Sequence, residues 1–139
     1  MKISATVKNS KHTHKVIVTT NTVPRELHIA PKAEGFGSSV NGGELLFLAL
    51  GTCYCNDIYR EAAKLGIAVH AVEVIVEGEF GGAGECAKNI RYRAKVKAEA
   101  SHEQIELLMR QTDQVAEIHN TLRQGIQVKL EDIESVAVA

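Results

Sequence analysis

No apolar run in this sequence is long. The longest, Leu45 to Leu50, falls far short of the roughly 20 residues that a membrane-spanning helix requires, so no membrane partner is expected. Nor does charge of one sign dominate: 16 Lys and Arg against 17 Asp and Glu leave a formal net charge of −1. A nucleic-acid binder would ordinarily show a basic excess, and Lys and Arg are scattered here, so no nucleic-acid partner is expected. No secretory leader is expected either. Met1 to Lys8 alternates like a strand and contains no apolar stretch of the required length. Cysteine is scarce: three residues without framework spacing suit a reducing compartment better than a disulfide scaffold. The cytoplasm is the expected location.

Metal and nucleotide signatures are missing too. Of six histidines, His12 and His14 alternate on one strand, while His28, His70, His102 and His119 are dispersed. None has the helical i, i+4 spacing or a cysteine at zinc-finger distance, so no metal site is expected. Gly81-Gly82-Ala83-Gly84 sits between two strand patterns rather than ahead of a helix, which makes it a poor phosphate loop. No cofactor is expected. There is no internal repeat and no linker, and 139 residues with 45% hydrophobic and 24% charged side chains suit one soluble domain spanning residues 1–139.

What is present reads as α+β. Ile3, Ala5 and Val7 alternate, Asn9 to His12 offers a turn, and Val16, Val18 and Thr20 resume the alternation. After Asn21-Thr22-Val23-Pro24, a third strand is expected over Glu26 to Ile29. Residues 31–43 are rich in Gly and Ser and read as a loop. Asn41 with Glu44 has the form of a capping box that starts a helix near Gly42, and Gly66 is placed to end it after Leu65. Val69 to Val76, leading to Phe80, and Ile90 to Ala98 read as a hairpin. Ser101 with Gln104 caps a helix carrying Ile105, Leu108, Met109, Thr112 and Val115 on one face. A short helix through Ile118 and Leu122 should stop near Gly125. Strands are expected around Ile126 to Leu130 and Ile133 to Val138.

The first helix is unusual. From Leu45 to Leu50 its apolar residues cover every face, and a helix apolar all round must be buried on all sides. A sheet can cover only one side in so small a domain, so a second copy of the chain is the simplest cover for the rest. Cys53 lies well inside this helix. It is either a small core residue or a nucleophile, and the second role needs a nearby cation to stabilise the thiolate, because three turns in from the helix start the dipole contributes little. Cys55 points roughly 200° away around the helix, which favours packing over a Cys53–Cys55 disulfide. Cys86, in the Gly-rich loop, is expected to be exposed, either tolerated there or acting as a resolving thiol.

The stretch Gly43-Glu44-Leu45-Leu46-Phe47-Leu48-Ala49-Leu50-Gly51-Thr52-Cys53 resembles the central helix of the OsmC/Ohr family, proteins of osmotic and peroxide stress. Ala62-Ala63-Lys64-Leu65-Gly66-Ile67, Val72 to Gly78 and Ile118-His119-Asn120-Thr121-Leu122 resemble later segments of the same family, in the same order. The resemblance implies an intertwined homodimer, with antiparallel sheets wrapped around long central helices. It also implies reduction of organic hydroperoxides, in which a cysteine thiolate becomes a sulfenic acid, a second cysteine resolves it, and an arginine and a glutamate position the reactants. Cys53 matches the reactive cysteine. The second cysteine falls at Ala116. The glutamate position is Gly43, and Glu44 is displaced by one residue, roughly 180° from Cys53 around an unbroken helix. The first arginine is Arg25, while Lys11 and His12 in the first hairpin lack its bidentate fork.

Two functions follow from that comparison. One is a thiol peroxidase in which Cys53 is oxidised and resolved by Cys86 or an external thiol reductant, with Arg25 as the cation and Glu44 as a displaced acid. The other is an inactive dimer that binds a small apolar ligand beside the helices, with Cys53 structural.

Overall fold

The computed structural model describes residues 1–138, and the chain forms two compact units, Met1–Leu48 and Ala49–Ala139. In the first, β1 (Ile3–Ser10), β2 (Thr13–Thr20) and β3 (Val23–Leu27) make an antiparallel sheet in the order β1-β2-β3. The turns between them are tight. His12 (φ 62°) and Asn21 (φ 55°) occupy the left-handed region that reverses a chain in two residues. The third strand therefore starts at Val23 rather than Glu26. Pro24 pairs opposite Thr19; it can do so because β3 is an edge strand, where a missing N–H leaves no partner unserved. The loop beyond is pinned by a Pro31–Ser38 bridge and by Gly37 N–H donating to Asn9 Oδ1 at 3.0 Å.

Helix α1 (Gly42–Leu65) begins with the expected reciprocal cap: Glu44 N–H donates to Asn41 Oδ1 at 2.9 Å, and Asn41 N–H to Glu44 Oε1 at 3.4 Å. It ends as expected too. Gly66 (φ 67°) lets Ile67 N–H reach back to the Ala62 carbonyl at 3.0 Å and its own N–H to Ala63 at 3.3 Å, closing the helix with the paired bonds of a Schellman motif.

The second unit holds the larger core. β4 (Ala68–Glu79) and β5 (Lys88–Glu99) form a two-stranded antiparallel ribbon, followed by α2 (His102–Val115) and α3 (Glu117–Gln124). A register shift between Val69 and Ala71 explains why the apolar alternation of β4 changes phase from Val69 to Val72. Ser101 and Gln104 complete the cap of α2 in both directions. On α1, the buried residues Leu50, Tyr54, Asp57, Ile58 and Ala62 recur at helical spacing. Tyr54, Ile58 and Ala62 pack with Leu108 of α2 against Val72, Val74, Ala94 and Val96 of the ribbon. The Tyr54 hydroxyl donates to the Met109 carbonyl at 2.8 Å, so the one polar atom of that side chain is satisfied.

The fully buried residues of α1 keep to this stripe. Leu48 is 61% exposed, which leaves the all-round apolar helix of the sequence half dressed. The expected strands beyond Gly125 are corrected: Ile126 to Val138 carries neither strand nor helix. A strand needs an edge to pair with, and a lone apolar alternation gains nothing in water. No helix among the described residues is long and apolar enough to cross a membrane. Ile58 and Leu108 are fully buried, so Ile58→Ala should destabilise the fold by about 2–5 kcal/mol, measured as a lowered urea midpoint at unchanged slope.

Candidate functional site

Cys53 stands between Leu50 and Asp57, at i−3 and i+4 on the inward stripe of α1, and is half-buried. That spacing brings the first partner. Cys53 Sγ–H donates to Asp57 Oδ2 at 3.4 Å, and Asp57 is 5% exposed. The second partner comes from α3. Val115 ends α2, and Ala116 holds an extended backbone (φ −68°, ψ 108°) that serves as the cap of both helices. Ala116 is fully buried and has no side chain able to bond the first N–H groups of α3. Other groups take that role. The Ile118 N–H acts on the Cys53 sulfur, and the Glu117 N–H on its own carboxylate. Glu117 Oε2 lies 3.9 Å from Sγ.

Arg60 binds the two acids together. Its Nη1 is 2.9 Å from both Asp57 Oδ1 and Glu117 Oε1, while its Nε meets Glu61 at 2.9 Å. Lys64 Nζ meets Glu61 at the same distance. Burial pushes the Cys53 thiol up, and accepting its proton and sharing its surroundings with Asp57 and Glu117 push it further; the Ile118 N–H alone opposes. Asp57 is likewise raised, chiefly by burial, whereas Glu117 is lowered, chiefly by its own backbone N–H. The pair is thus unequal, with the inner acid the better proton holder.

Cys53, Asp57 and Glu117 offer three donor atoms within 4.8 Å of one another, the one set among the described residues able to hold a metal ion. Arg60 already brings positive charge to both carboxylates there. The arrangement is a protonated thiol beside a proton acceptor, with a helix amino end turned on the sulfur and a guanidinium behind the acceptor.

The residues singled out from sequence lie on different elements. Glu44 sits in the cap of α1 with Asn41. Arg25 lies on β3, where its Nη2 is 3.4 Å from Thr20 Oγ1. Cys86 is exposed in the connection between β4 and β5, Cys55 is half-buried, and all three thiols are free. Asp57, Arg60 and Glu117 were not anticipated. Asp57 did leave a signal, an acid four residues after the cysteine and so one turn along the same face of α1. Glu117 left none, because only tertiary structure brings α3 to α1.

Deeper in, Tyr54, Tyr92 and His119 cluster edge to face, with Tyr92–His119 ring centres 4.8 Å apart. The Tyr92 hydroxyl donates to Asp113, which Arg123 grips at 2.7 Å. Burial and the nearby Asp113 push the Tyr54 hydroxyl up to about 12.

An α+β fold with a half-buried cysteine on a long helix, faced by the junction of two shorter helices, defines a class of small thiol-bearing proteins. The model of OsmC-like proteins matches residues 35–131, and the chain belongs to that family. Solved structures agree in fold. An OsmC-like protein from Mycoplasma pneumoniae is 18% identical, with 88% of this chain and 89% of that one covered at a TM-score of 0.61. One from Vibrio cholerae is 14% identical, covering 87% and 93%, also at 0.61. An organic hydroperoxide resistance protein from Elizabethkingia anophelis, crystallised with thiocyanate, is 18% identical, covering 93% of each chain at 0.60. No curated protein sequence matches significantly.

Because its neighbours raise the Cys53 pKa, alkylation of Cys53 should reach half its limiting rate above the usual thiol pH. Asp57→Asn removes an acceptor and a charge that both raise it, so the midpoint should move to lower pH. Glu117→Gln should move it the same way by less. Stopped-flow iodoacetamide labelling of a Cys55→Ser/Cys86→Ser background across pH measures both shifts.

Proposed function

We propose that this chain is a thiol-dependent reductant of organic hydroperoxides, with Cys53 as its nucleophile, acting as a homodimer in a reducing compartment. The observation that carries the reading is the Cys53 Sγ–H···Asp57 bond at 3.4 Å, with the amino end of α3 turned on the same sulfur. Family membership and the hydroperoxide-resistance neighbour support it.

The thiol proton passes to Asp57. The thiolate attacks the terminal peroxide oxygen, the O–O bond breaks, and the departing alkoxide takes a proton to leave as the alcohol. Cys53 becomes a sulfenic acid, and its sulfur has been oxidised by two electrons. With Ala116 at the position of the family's second cysteine, an external thiol completes the cycle: it forms a mixed disulfide with loss of water, and a second thiol then frees Cys53. Cys86 is the internal alternative. Arg60 is the guanidinium that orients Asp57, and Glu44 keeps its capping role.

The homodimer rests on unpaired apolar surface. Val128, Leu130, Ile133, Val136 and Val138 are each at least 80% exposed, a strand pattern with no edge of its own. A second reading, an inactive dimer that binds an apolar ligand with Cys53 structural, is favoured by the raised thiol pKa.

Treatment of the reduced protein with one equivalent of cumene hydroperoxide should give a dimedone-trappable sulfenic acid at Cys53 by mass spectrometry. Cys53→Ser should abolish peroxide consumption and Cys55→Ser should not. Cys86→Ser should leave it intact if the reductant is external. Asp57→Asn should lower the plateau of the pH–rate curve if Asp57 takes the proton, and only shift its midpoint if its effect is electrostatic. An unmodified Cys53 sinks the peroxidase in favour of the second reading. Light scattering should give twice the chain mass; a monomer overturns the dimer.

A further inference from the structure

Helix α3 brings its amino end to Cys53, yet little holds it down. A docked helix ordinarily buries an aliphatic stripe, whose removal from water fixes it in place. On α3, Ile118 and Leu122 stay exposed, and His119, 4% exposed, is the one buried residue. Neither of its ring nitrogens has a hydrogen-bond partner among the described residues. A neutral imidazole carries one donor and one acceptor, and both regain partners in water once the helix lifts away. The side chain that anchors α3 is thus also the one that gains by leaving.

Against that stand the ring contacts of His119 with Tyr92 and Tyr54, at 4.8 and 6.1 Å between centres. The remaining ties are exposed. Glu117 meets Arg60 at 2.9 Å, Arg123 meets Asp113 at 2.7 Å, and Asn120 Nδ2 donates to the Gln114 carbonyl at 2.9 Å. Exposed ion pairs of this kind contribute little. The ends of α3 are loosely made as well. Ala116, buried and extended, offers it no side-chain cap, and beyond Gly125 (φ 62°) residues 126–138 form neither helix nor strand. Ala116 can therefore serve as a joint about which α3 swings while α1, α2 and the ribbon keep their packing.

We infer that α3 is a strap over Cys53 that lifts and recloses while the rest of the unit stays folded, with the burial of His119 biasing it towards opening. Lifting takes the Glu117 carboxylate, 3.9 Å from Sγ, and the Ile118 N–H off the sulfur. Asp57 stays, because it belongs to α1. The same movement removes His119, Leu122 and Arg123 from one wall of a pocket of about 440 Å³ and lays open Leu50, one turn before Cys53. As a gate on peroxide reduction the strap rests on the peroxidase reading; as a control on access to Cys53 it stands without it.

Hydrogen exchange of the full chain reads the strap directly. The amides of α3 should exchange at least about tenfold faster than those around Ile58 and Leu108, through a local opening that low urea barely changes. His119→Phe keeps the ring volume and deletes both unpaired nitrogens, so exchange in α3 should slow about tenfold while the core is unchanged. In a Cys55→Ser/Cys86→Ser background, labelling of Cys53 by a dipyridyl disulfide should slow in the same variant. Its pH midpoint should stay put, because His119→Phe leaves Asp57 and Glu117 in place. Arg123→Gln cuts the tie to Asp113 and should speed exchange in α3. Exchange of α3 only together with α2 on global unfolding would overturn the proposal. So would an α3 as labile in His119→Phe as in the parent, or Cys53 labelling that does not follow the exchange. Should His119→Phe fail to fold, the parent and Arg123→Gln decide. Peroxide enters none of these measurements, so failure here and failure of the peroxidase are told apart.

Discussion

The constraint on which the second unit depends is the rotation of α1 about its own axis. Tyr54, Ile58 and Ala62 lock one stripe of the helix onto Leu108 and the β4–β5 ribbon. Close packing tolerates little slippage of such a stripe. Cys53 and Asp57 are interleaved with these residues, so their directions are set by the same contacts. The core thus aims the thiol, which stands one step off the packed line. The Tyr54 bond to the Met109 carbonyl adds a polar pin between α1 and α2, which in turn fixes where α2 ends and α3 begins.

That junction shapes the electrostatics. A serine or aspartate at position 116 would cap α3 from within. Ala116 cannot, and the first turn of α3 is left to find acceptors in Cys53 and Glu117. The helix end favours a negative sulfur while the two carboxylates disfavour it. Arg60 tempers the second effect by neutralising both acids at 2.9 Å. The balance leaves a protonated resting thiol beside an acceptor rather than a standing thiolate. Such a site holds little of the thiolate, the reactive form of cysteine, at rest.

Much of this was legible in the residues. Caps at Asn41, Gly66, Ser101 and Gly125 marked helix ends because capping is local chemistry, decided within four or five residues. The second hairpin and the apolar face of α2 came from periodicity, and the choice of Cys53 came from family resemblance. The search for a partner to the thiol looked for a cation in the N-terminal hairpin and a glutamate upstream, and so passed over Asp57, one turn away on the same helix. Glu117 and the unpaired nitrogens of His119 had no local signature. They exist only once α3 has folded back on α1 and β5.

The overreach at the C-terminal end has a physical lesson of its own. Ile126 to Leu130 and Ile133 to Val138 alternate as a strand should, yet alternation states only which face wants burial. Whether a strand forms depends on pairing, and within the described residues this segment pairs with no edge of either sheet. The exposed Leu48 on α1 makes the same point from a helix. Both sequence features are written for surfaces the single chain does not supply, which is how an intertwined dimer would appear when read one copy at a time. Burial of even four such side chains would contribute several kcal/mol at about 1.5–3 kcal/mol each, enough to make association part of folding rather than an afterthought. Under the proposed dimer, the apolar alternation and the all-round helix describe one requirement, the cover that a second copy brings.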